Sequence, residues 1–401
     1  MSIVRYYLMI CFFLIFTFSI THSQAKKPEP VRRIVYEVHP DEWYQQQAKL
    51  WKAEMDKNPN NPKAWHNYYN AVRYEDFYHA SGNADKEQKL SKIVDDLGKQ
   101  LPDSWEYHYL RYFNSGHDEK NFGDLEKAYQ IDPSRPDTYY DFIGHYESTG
   151  NEAEVTKFFK KLYESKDISP KLVNYNYNML MSTEENSILF TNGDNDTYPA
   201  RLLQEVKNIR PDVIILNISL STAGTYLERN LKKLGIKVSR DELFDRAIET
   251  NKDGKKSFTT YNYFKIVLEE ILKQKPDVPI FFASTLYQQY YQHIKGDTYI
   301  VGLAFRYCKE RIDNVAFIKK NFEKRFRLDY LKYDWYDEAD PVNTILSEMN
   351  NNYVPPLILL QEHYKNSGET DKIEDINKLI YNIGYASGRT SVLEHLKTRI
   401  E

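Results

Sequence analysis

One stretch of the sequence, residues 187–219, constrains the fold more than any other. It reads SILFTNGDNDTYPARLLQEVKNIRPDVIILNIS. Two short runs rich in β-branched residues, Ser187–Thr191 and Val213–Asn217, flank an amphipathic segment, Pro199–Ile209, with the spacing of a helix. A strand, a helix and a second strand in this order predict a parallel α/β unit. The acidic loop, Asn192–Thr197, falls at the carboxyl end of the first strand, where open α/β sheets bind ligands.

Two further strands are predicted downstream, at Pro279–Ala283 and Tyr299–Leu303. Helical residues separate them, and strands that alternate with helices predict a parallel sheet covered on both faces. Ser284 and Thr285 follow the third strand, and Arg306 follows the fourth. In a parallel sheet these three residues would lie at the same edge as the acidic loop.

Ahead of this unit, residues 41–181 have a helical pattern divided into three units. A proline-containing turn introduces each unit, and the turns begin at Pro59, Pro102 and Asp132. Pro59 and Pro133 are 74 residues apart, roughly twice the tetratricopeptide period of about 34 residues. We therefore expect tetratricopeptide-like helical repeats, with a plain helical bundle as the alternative. Stacked hairpins form a curved array, whose groove offers three candidate contacts for a protein partner, Tyr68, Tyr109 and Tyr140.

The N-terminus has the pattern of a cleavable secretory signal. Arg5 precedes an apolar run, Tyr6–Ile20, and Ser23-Gln24-Ala25 is a small-x-small cleavage site. The run is short for a membrane-spanning helix, although an uncleaved anchor is the alternative. We expect a periplasmic protein that has no integral membrane span after the signal is cleaved.

The net charge and the cysteine content limit the kinds of partner and of covalent cross-link that we expect. The formal net charge of −4 provides no basic field that would attract nucleic acid. The mature chain keeps one cysteine, Cys308, which cannot form an internal disulfide and which we interpret as a buried, inert thiol.

The predicted fold class is α plus α/β, and the patterns divide the chain into five parts. They are a signal peptide (1–25), a leader (26–40), tetratricopeptide-like helical repeats (41–181), a small Rossmann-like parallel α/β domain (186–311) and a C-terminal helical region (312–401). In the last part, Pro355-Pro356 opens a helical hairpin that turns at Gly368.

Asp194 and Asp196 are the residues best suited to chemistry. Two carboxylates one residue apart could hold a hard cation or accept hydrogen bonds from sugar hydroxyls. The alternative is a strand-to-helix turn, in which Gly193 permits a positive φ and the acids cap the helix. Arg306 could likewise form a simple ion pair with these acids. The ligand-binding candidates are Asn192, Gly193, Asp194, Asn195, Asp196, Thr197, Ser284, Thr285 and Arg306.

The sequence lacks several well-known catalytic motifs. There is no Gly-x-Ser-x-Gly elbow, no His-Glu-x-x-His motif and no phosphate-binding Gly-x-x-x-x-Gly-Lys-Ser/Thr loop. We therefore assign no catalytic residue and expect no cofactor. A divalent cation at Asp194 and Asp196 is the one metal site the sequence offers.

Five segments of the chain together carry a family resemblance, namely Ile188–Pro199, Leu203–Val206, Arg210–Val213, Pro279–Thr285 and Gly302–Arg306. They resemble the soluble C-terminal region of bacterial membrane proteins related to protein O-mannosyltransferases. The resemblance covers about residues 186–311 well and the C-terminal helices loosely, and it implies an extracytoplasmic α/β domain followed by helical repeats. The transmembrane half, where that family would hold its catalytic aspartate and lipid-linked sugar, has no counterpart here, so glycosyltransferase activity is not implied.

Two functions remain open from the sequence. The signal peptide, the repeats and the missing catalytic templates favour a non-catalytic periplasmic scaffold or adaptor that binds protein partners in a cell-envelope assembly. The alternative is a carbohydrate- or metal-binding α/β domain, which could be catalytic, acting in envelope glycoconjugate processing.

Overall fold

The computed structural model describes residues 27–76, 83–250, 253–336 and 344–389. The predicted signal peptide therefore lies outside the described residues. Helices dominate these ranges, and a small mixed sheet accompanies them. Among the residues in these ranges, no helix combines the length and the apolar character needed to cross a bilayer.

The first half of the chain forms consecutive helices that pack against their neighbours in sequence. The predicted proline-containing turns immediately precede α2, α4 and α6, whose first residues are 43 and 32 residues apart, so the repeat is irregular. The helices are α1 (Asp41–Lys57), α2 (Pro62–Tyr74), α3 (Ala84–Gln100), α4 (Trp105–Asn114), α5 (Phe122–Ile131), α6 (Asp137–Thr149), α7 (Glu152–Ser165) and α8 (Pro170–Met181).

Local chemistry sets the ends of these helices. The Ser104 hydroxyl accepts the backbone N–H of Tyr107 at the start of α4, and Asn151 accepts that of Glu154 at the start of α7. Gly150 ends α6 with a φ of +88°, a left-handed conformation that glycine adopts without strain. Gly150 and Asn151 therefore form the turn between α6 and α7.

The predicted leader is an integral part of the fold. Residues 28–39, which we call the N-terminal strap, run across the helices and bury Val31, which is 3% exposed. Asn67 of α2 accepts the Val31 N–H at 2.6 Å, and Asn70 donates to the Val31 carbonyl at 3.0 Å. Two side-chain amides thus satisfy both backbone groups of one strap residue, as a neighbouring strand would.

The α/β unit has one five-stranded sheet in the order β2-β1-β5-β7-β6 and a separate two-stranded ribbon. Its strands are β1 (Ile188–Thr191), β2 (Ile214–Asn217), β5 (Ile280–Ala283), β6 (Thr298–Ile300) and β7 (Ala304–Tyr307), and the ribbon pairs β3 (Glu249–Thr250) with β4 (Lys256–Ser257). Its helices are α9 (Asp194–Lys207), α10 (Tyr226–Lys232), α11 (Arg240–Ala247) and α12 (Thr260–Gln274).

The prediction of an all-parallel, Rossmann-like sheet is wrong at one edge. Strands β1, β2 and β5 are parallel, but β7 runs antiparallel to β5 and β6 antiparallel to β7. The predicted fourth strand, Tyr299–Leu303, is instead strand β6 followed by a tight turn. Gly302 makes this turn with a φ of +147°, and a Cβ there would come within 2.6 Å of the Ser182 hydroxyl oxygen.

The described C-terminal region packs onto the sheet. Its helices are α13 (Asn314–Lys320), α14 (Asp329–Lys332), α15 (Thr344–Asn350), α16 (Val354–Ser367) and α17 (Thr370–Ala386). The predicted final hairpin is confirmed as α16 and α17, which Gly368 connects with a φ of +77°. Cys308, just after β7, is half-buried rather than buried.

Buried hydrophobic residues group into three clusters within the described ranges. The first joins the strap to α1–α7 and includes Leu202 of α9. The second packs α8, α9 and the C-terminal helices on one face of the sheet, and the third packs α10–α12 on the other. Helices therefore cover both faces, as predicted. The buried members of the first two clusters divide between Leu162 and Leu172, and Ile168 packs against both clusters.

Candidate functional site

The predicted acidic loop is shorter than expected because α9 begins at Asp194 rather than at Pro199. Pro199 therefore lies inside the helix, where it has no N–H to donate to the carbonyl of Asn195. The Asn176 side chain of α8 donates to that carbonyl instead, at 2.8 Å. Only Asn192 and Gly193 remain as a loop.

Asp196 is part of the frame of the site. It is 2% exposed, and its carboxylate accepts the backbone N–H groups of Asn192 and Gly193, each at 2.8 Å, and the Thr285 hydroxyl. Burial raises the pKa of Asp196 above its ordinary value, although these hydrogen bonds favour the charged form. Because both oxygens are engaged, a ligand or cation would have to break the helix start to reach them.

The other loop residues hold α9 against its surroundings. Thr197 shares a hydrogen bond with Thr191 at 2.8 Å and accepts one from Asn217 at 2.9 Å. Asn195 donates to the carbonyl of Val35 in the strap at 2.9 Å. Gly193 has a φ of −150°, so the expected positive φ is absent there.

Asp194 is the member of the acidic pair that faces open space. Its side chain is 41% accessible, and its Oδ2 lies 3.6 Å from Nη2 of Arg33 in the strap. Desolvation by the surrounding protein raises the pKa of Asp194, and the nearby guanidinium opposes that rise. The acidic motif thus divides into a structural carboxylate, Asp196, and an available one, Asp194.

Asp194 opens into a cleft of about 710 Å³. The strap, helices α2, α4, α6 and α9, and the residues that follow β2 form its walls. It therefore lies beside the carboxyl ends of the parallel strands β1 and β2, where the sequence predicted a site. The polar side chains that line it include Arg33, Arg73, His117, Glu119, Asp141, His145 and Asp194.

Two buried polar atoms in this cleft have no hydrogen-bond partner among the described residues: Oδ2 of Asp141 and Nη1 of Arg33. Asp141 is 7% exposed, and its other oxygen, Oδ1, lies 3.2 Å from Nε2 of His117. His117 adopts a φ of +66°, which is uncommon for a residue with a side chain.

The remaining ligand-binding candidates, Ser284, Thr285 and Arg306, lie apart from the cleft, and the predicted position of Arg306 is wrong. Thr285 meets Asp196, and Ser284 donates to the carbonyl of Leu303 at 2.8 Å. Arg306, however, does not converge with the acids, because β7 runs in the opposite direction. It pairs with Phe281 in the sheet and forms an ion pair with Glu184 at 2.9 Å, before the start of β1.

The predicted groove contacts are largely internal. Tyr109 is 2% exposed and Tyr140 is 6% exposed, and the Tyr140 hydroxyl donates to Asp167 at 2.8 Å. Tyr68 is half-buried. A partner could not contact Tyr109 without rearranging the helices, so the three tyrosines do not form one exposed surface.

No group of three or more histidine, cysteine, aspartate or glutamate side chains within the described ranges is arranged to hold a metal ion. The metal hypothesis also loses one ligand, because Asp196 uses its oxygens for the start of α9. Asp194 alone is a poor cation site, since hard cations take several oxygen ligands.

Sequence reasoning missed Arg33, His117 and Asp141. Asp141 did carry a signal, since it is a carboxylate in an otherwise apolar and aromatic stretch, Tyr139–Ile143. Burying a carboxylate costs free energy unless it is paired or hydrogen-bonded, so an acid in such a stretch indicates a specific partner or role. Arg33 and His117 carried no local signal, because the folding of distant segments brings them to the cleft.

The described residues define a mainly helical protein with a small mixed sheet. The family model described as TMEM260-associated domain 2 matches residues 172–235, which include most of α8 and all of β1, α9, β2 and α10. TMEM260 is related to protein O-mannosyltransferases, so this match supports the resemblance over part of the chain.

Comparisons with whole proteins add little. Among solved structures, the crystal structure of yeast Tom70 matches with 11% sequence identity and a TM-score of 0.28. The match covers 90% of this chain but only 61% of the Tom70 chain. A TM-score this low supports no argument about fold or function. A search of curated proteins finds no match.

Proposed function

We propose that this chain is a non-catalytic periplasmic scaffold or adaptor that binds a protein partner in a cell-envelope assembly. The paired helices of the first half offer extended surfaces of the kind that bind proteins. The match to a TMEM260-associated domain supports an envelope setting related to glycosylation.

Exposed aromatic residues near the C-terminus are the observation on which this proposal rests. Tyr333 and Trp335 are 49% and 63% exposed, and Tyr381 and Tyr385 are 52% and 73% exposed. Each pair is stacked, with ring centroids 4.5 and 6.2 Å apart. Exposed tyrosine and tryptophan are typical of protein interfaces, where they bury large areas at little entropic cost.

The two pairs lie on neighbouring elements. Helix α14 packs against α17, and the Asn382 side chain donates to the carbonyl of Leu331 at 3.1 Å. We call these four residues the C-terminal aromatic pairs. We propose that they dock the partner, in place of the predicted groove contacts Tyr68, Tyr109 and Tyr140.

The test is recovery of a partner from the native envelope. The tagged protein would be purified after mild crosslinking, and the unaltered chain compared with a Trp335→Ala, Tyr385→Ala double variant. A Tyr261→Ala, Tyr287→Ala variant is the matched control, because these tyrosines are also exposed, at 40% and 60%.

We expect one stoichiometric companion that the control retains and the C-terminal variant loses by about tenfold or more, since interface aromatics often contribute 2 kcal/mol or more. A clean monomer, or equal recovery with both variants, would contradict the proposal.

A second candidate function is recognition of a carbohydrate beside the α/β unit, in envelope glycoconjugate processing. The observation that favours it is the accessible Asp194 carboxylate in a cleft at the carboxyl edge of the parallel strands.

A further inference from the structure

The cleft beneath Asp194 is built by three distant parts of the chain. Arg33 comes from the strap, His117 from the turn after α4, Asp141 from α6 and Asp194 from the start of α9. Packing alone does not require charged side chains to meet here, because each could have remained on the surface. Their convergence in one cleft is typical of a binding site.

Unused hydrogen-bonding capacity is the first sign of a ligand. Asp141 is more than nine-tenths buried, yet its Oδ2 has no partner within the described part of the chain, and neither has Nη1 of Arg33. The ion pair between Arg33 and Asp194, at 3.6 Å, is also too long for a direct hydrogen bond. Buried polar groups are normally paired, so the cleft has an acceptor and a donor to offer.

The backbone beside Asp141 is the second sign. His117 has a φ of +66° and follows Gly116, which has a φ of +71°. This left-handed pair holds the imidazole 3.2 Å from Asp141. Residues in such sparsely populated conformations cluster at binding sites, where the surrounding structure enforces the geometry.

The charges of the cleft favour a neutral ligand. An anion would meet Asp141, Asp194 and Glu119, and a cation would meet Arg33 and Arg73. A hydroxyl group satisfies both kinds of partner, because it donates to a carboxylate and accepts from a guanidinium. Neighbouring hydroxyls on one molecule could therefore fill the open positions on Asp141, Arg33 and Asp194.

The size of the cleft suits the same ligand. Its volume of about 710 Å³ lies within the ordinary range for small-molecule sites. Tyr112, Phe113 and Tyr140 line the cleft but are only 2%, 8% and 6% exposed, so they shape its wall while the polar side chains supply the recognition. We propose that this cleft binds a neutral carbohydrate, with Asp141, Asp194 and Arg33 as its hydrogen-bonding residues.

This proposal rests on the second candidate function and is independent of partner docking at the C-terminal aromatic pairs. The test is ligand-observed saturation-transfer NMR on the full exported chain. The probes are methyl glycosides of common hexoses and short neutral oligosaccharides, with inorganic phosphate and spermidine as charged comparisons.

Asp141→Asn and Asp194→Asn remove charge with little change in shape. Asp241→Asn is the matched control, since that carboxylate lies on α11 and its side chain is 79% exposed. We expect binding of at least one neutral glycoside that weakens about tenfold or more in both cleft variants and stays within about twofold in the control. Asp194→Asn keeps the test decisive if Asp141→Asn fails to fold, because the Asp194 side chain makes no hydrogen bond to any described residue and its ion pair with Arg33 is long, at 3.6 Å.

Three outcomes would overturn the proposal. They are no signal from any neutral sugar at millimolar concentration, binding that both cleft variants retain, and stronger binding of phosphate or spermidine that the cleft variants abolish. None of these outcomes affects the aromatic-pair experiment, so the two proposals fail separately.

Discussion

At the scale of single residues, two aspartates one residue apart have different roles because their surroundings differ. The Asp196 carboxylate lies at the start of its own helix, where it accepts hydrogen bonds from the backbone of Asn192 and Gly193 and from the Thr285 hydroxyl. Asp194 points outward, toward Arg33 and the cleft. The pattern Asp-x-Asp identifies the helix start and the site but cannot say which acid serves which purpose.

The raised pKa of Asp194 predicts a pH-dependent cost to stability. A carboxyl group with a pKa that is higher in the folded than in the unfolded state stabilises the fold below its unfolded pKa, and this contribution is lost as pH rises through the folded value. Asp194→Asn should therefore gain stability relative to the unaltered chain as pH rises through the folded pKa of Asp194. Melting temperatures of both proteins as a function of pH would measure it.

Asp241→Asn provides the baseline, because that carboxylate is exposed. A difference between Asp194→Asn and the unaltered chain that stays constant with pH would contradict the pKa argument. If Asp194→Asn gains stability and also loses ligand binding, Asp194 follows the common trade-off in which a binding residue lowers the stability of the fold.

At the scale of elements, the turn between β6 and β7 decides which residues lie at each edge of the sheet. The β6–β7 reversal makes β7 antiparallel to β5, and this carries Arg306 to Glu184. Gly302 lies against Ser182 and Phe326 with a φ of +147°. No short sequence pattern marked this reversal, because the residues of the hairpin are as apolar as a continuous strand.

Gly302→Ala should destabilise the protein by at least about 1 kcal/mol, since the position combines an unfavourable φ with a close neighbour. Urea denaturation would measure the change in the free energy of unfolding. Gly296→Ala is the matched control, because a Cβ there has no neighbour within 4 Å. Equal stability of the two variants would show that the turn tolerates a side chain.

The N-terminal strap is another element whose structure depends on distant contacts. Its prolines and charges have the composition of a linker, yet Val31 is buried and Asn67 and Asn70 hold its backbone. The partners that order it lie 36 and 39 residues away. Such contacts are invisible to any local reading of the sequence.

At the scale of the whole molecule, buried charges join the helices to the α/β unit. Arg201 of α9 donates to Glu147 of α6 at 2.8 Å, and Glu147 is 3% exposed. Burial opposes the charge of Arg201, but Glu147 and Glu205 hold its pKa above the ordinary value. The Arg201–Glu147 ion pair therefore links the helices of the first half to the α/β unit, and Glu205 of α9 also pairs with Arg201 at 3.0 Å.

Glu147→Ala should cost about 1–3 kcal/mol, because it removes one of the two carboxylates that pair with the buried Arg201 guanidinium, while Glu205 at 3.0 Å remains. Urea denaturation followed by both fluorescence and circular dichroism would measure the loss. Glu152→Ala is the control, since that carboxylate is 51% exposed where it pairs with Arg229. A loss below about 1 kcal/mol would mean that water replaces the pair at little cost.

The sequence by itself determined the strands near 188, 214 and 280, the helices between them, the turn at Gly368 and the acidic motif that follows β1. These follow from local periodicity and turn chemistry, which act over a few residues. Only the tertiary structure decided the direction of β7, the burial of Tyr109 and the strap, and the meeting of Arg33, Asp141 and Asp194. Those outcomes depend on contacts between distant segments, whose free energies no local pattern records.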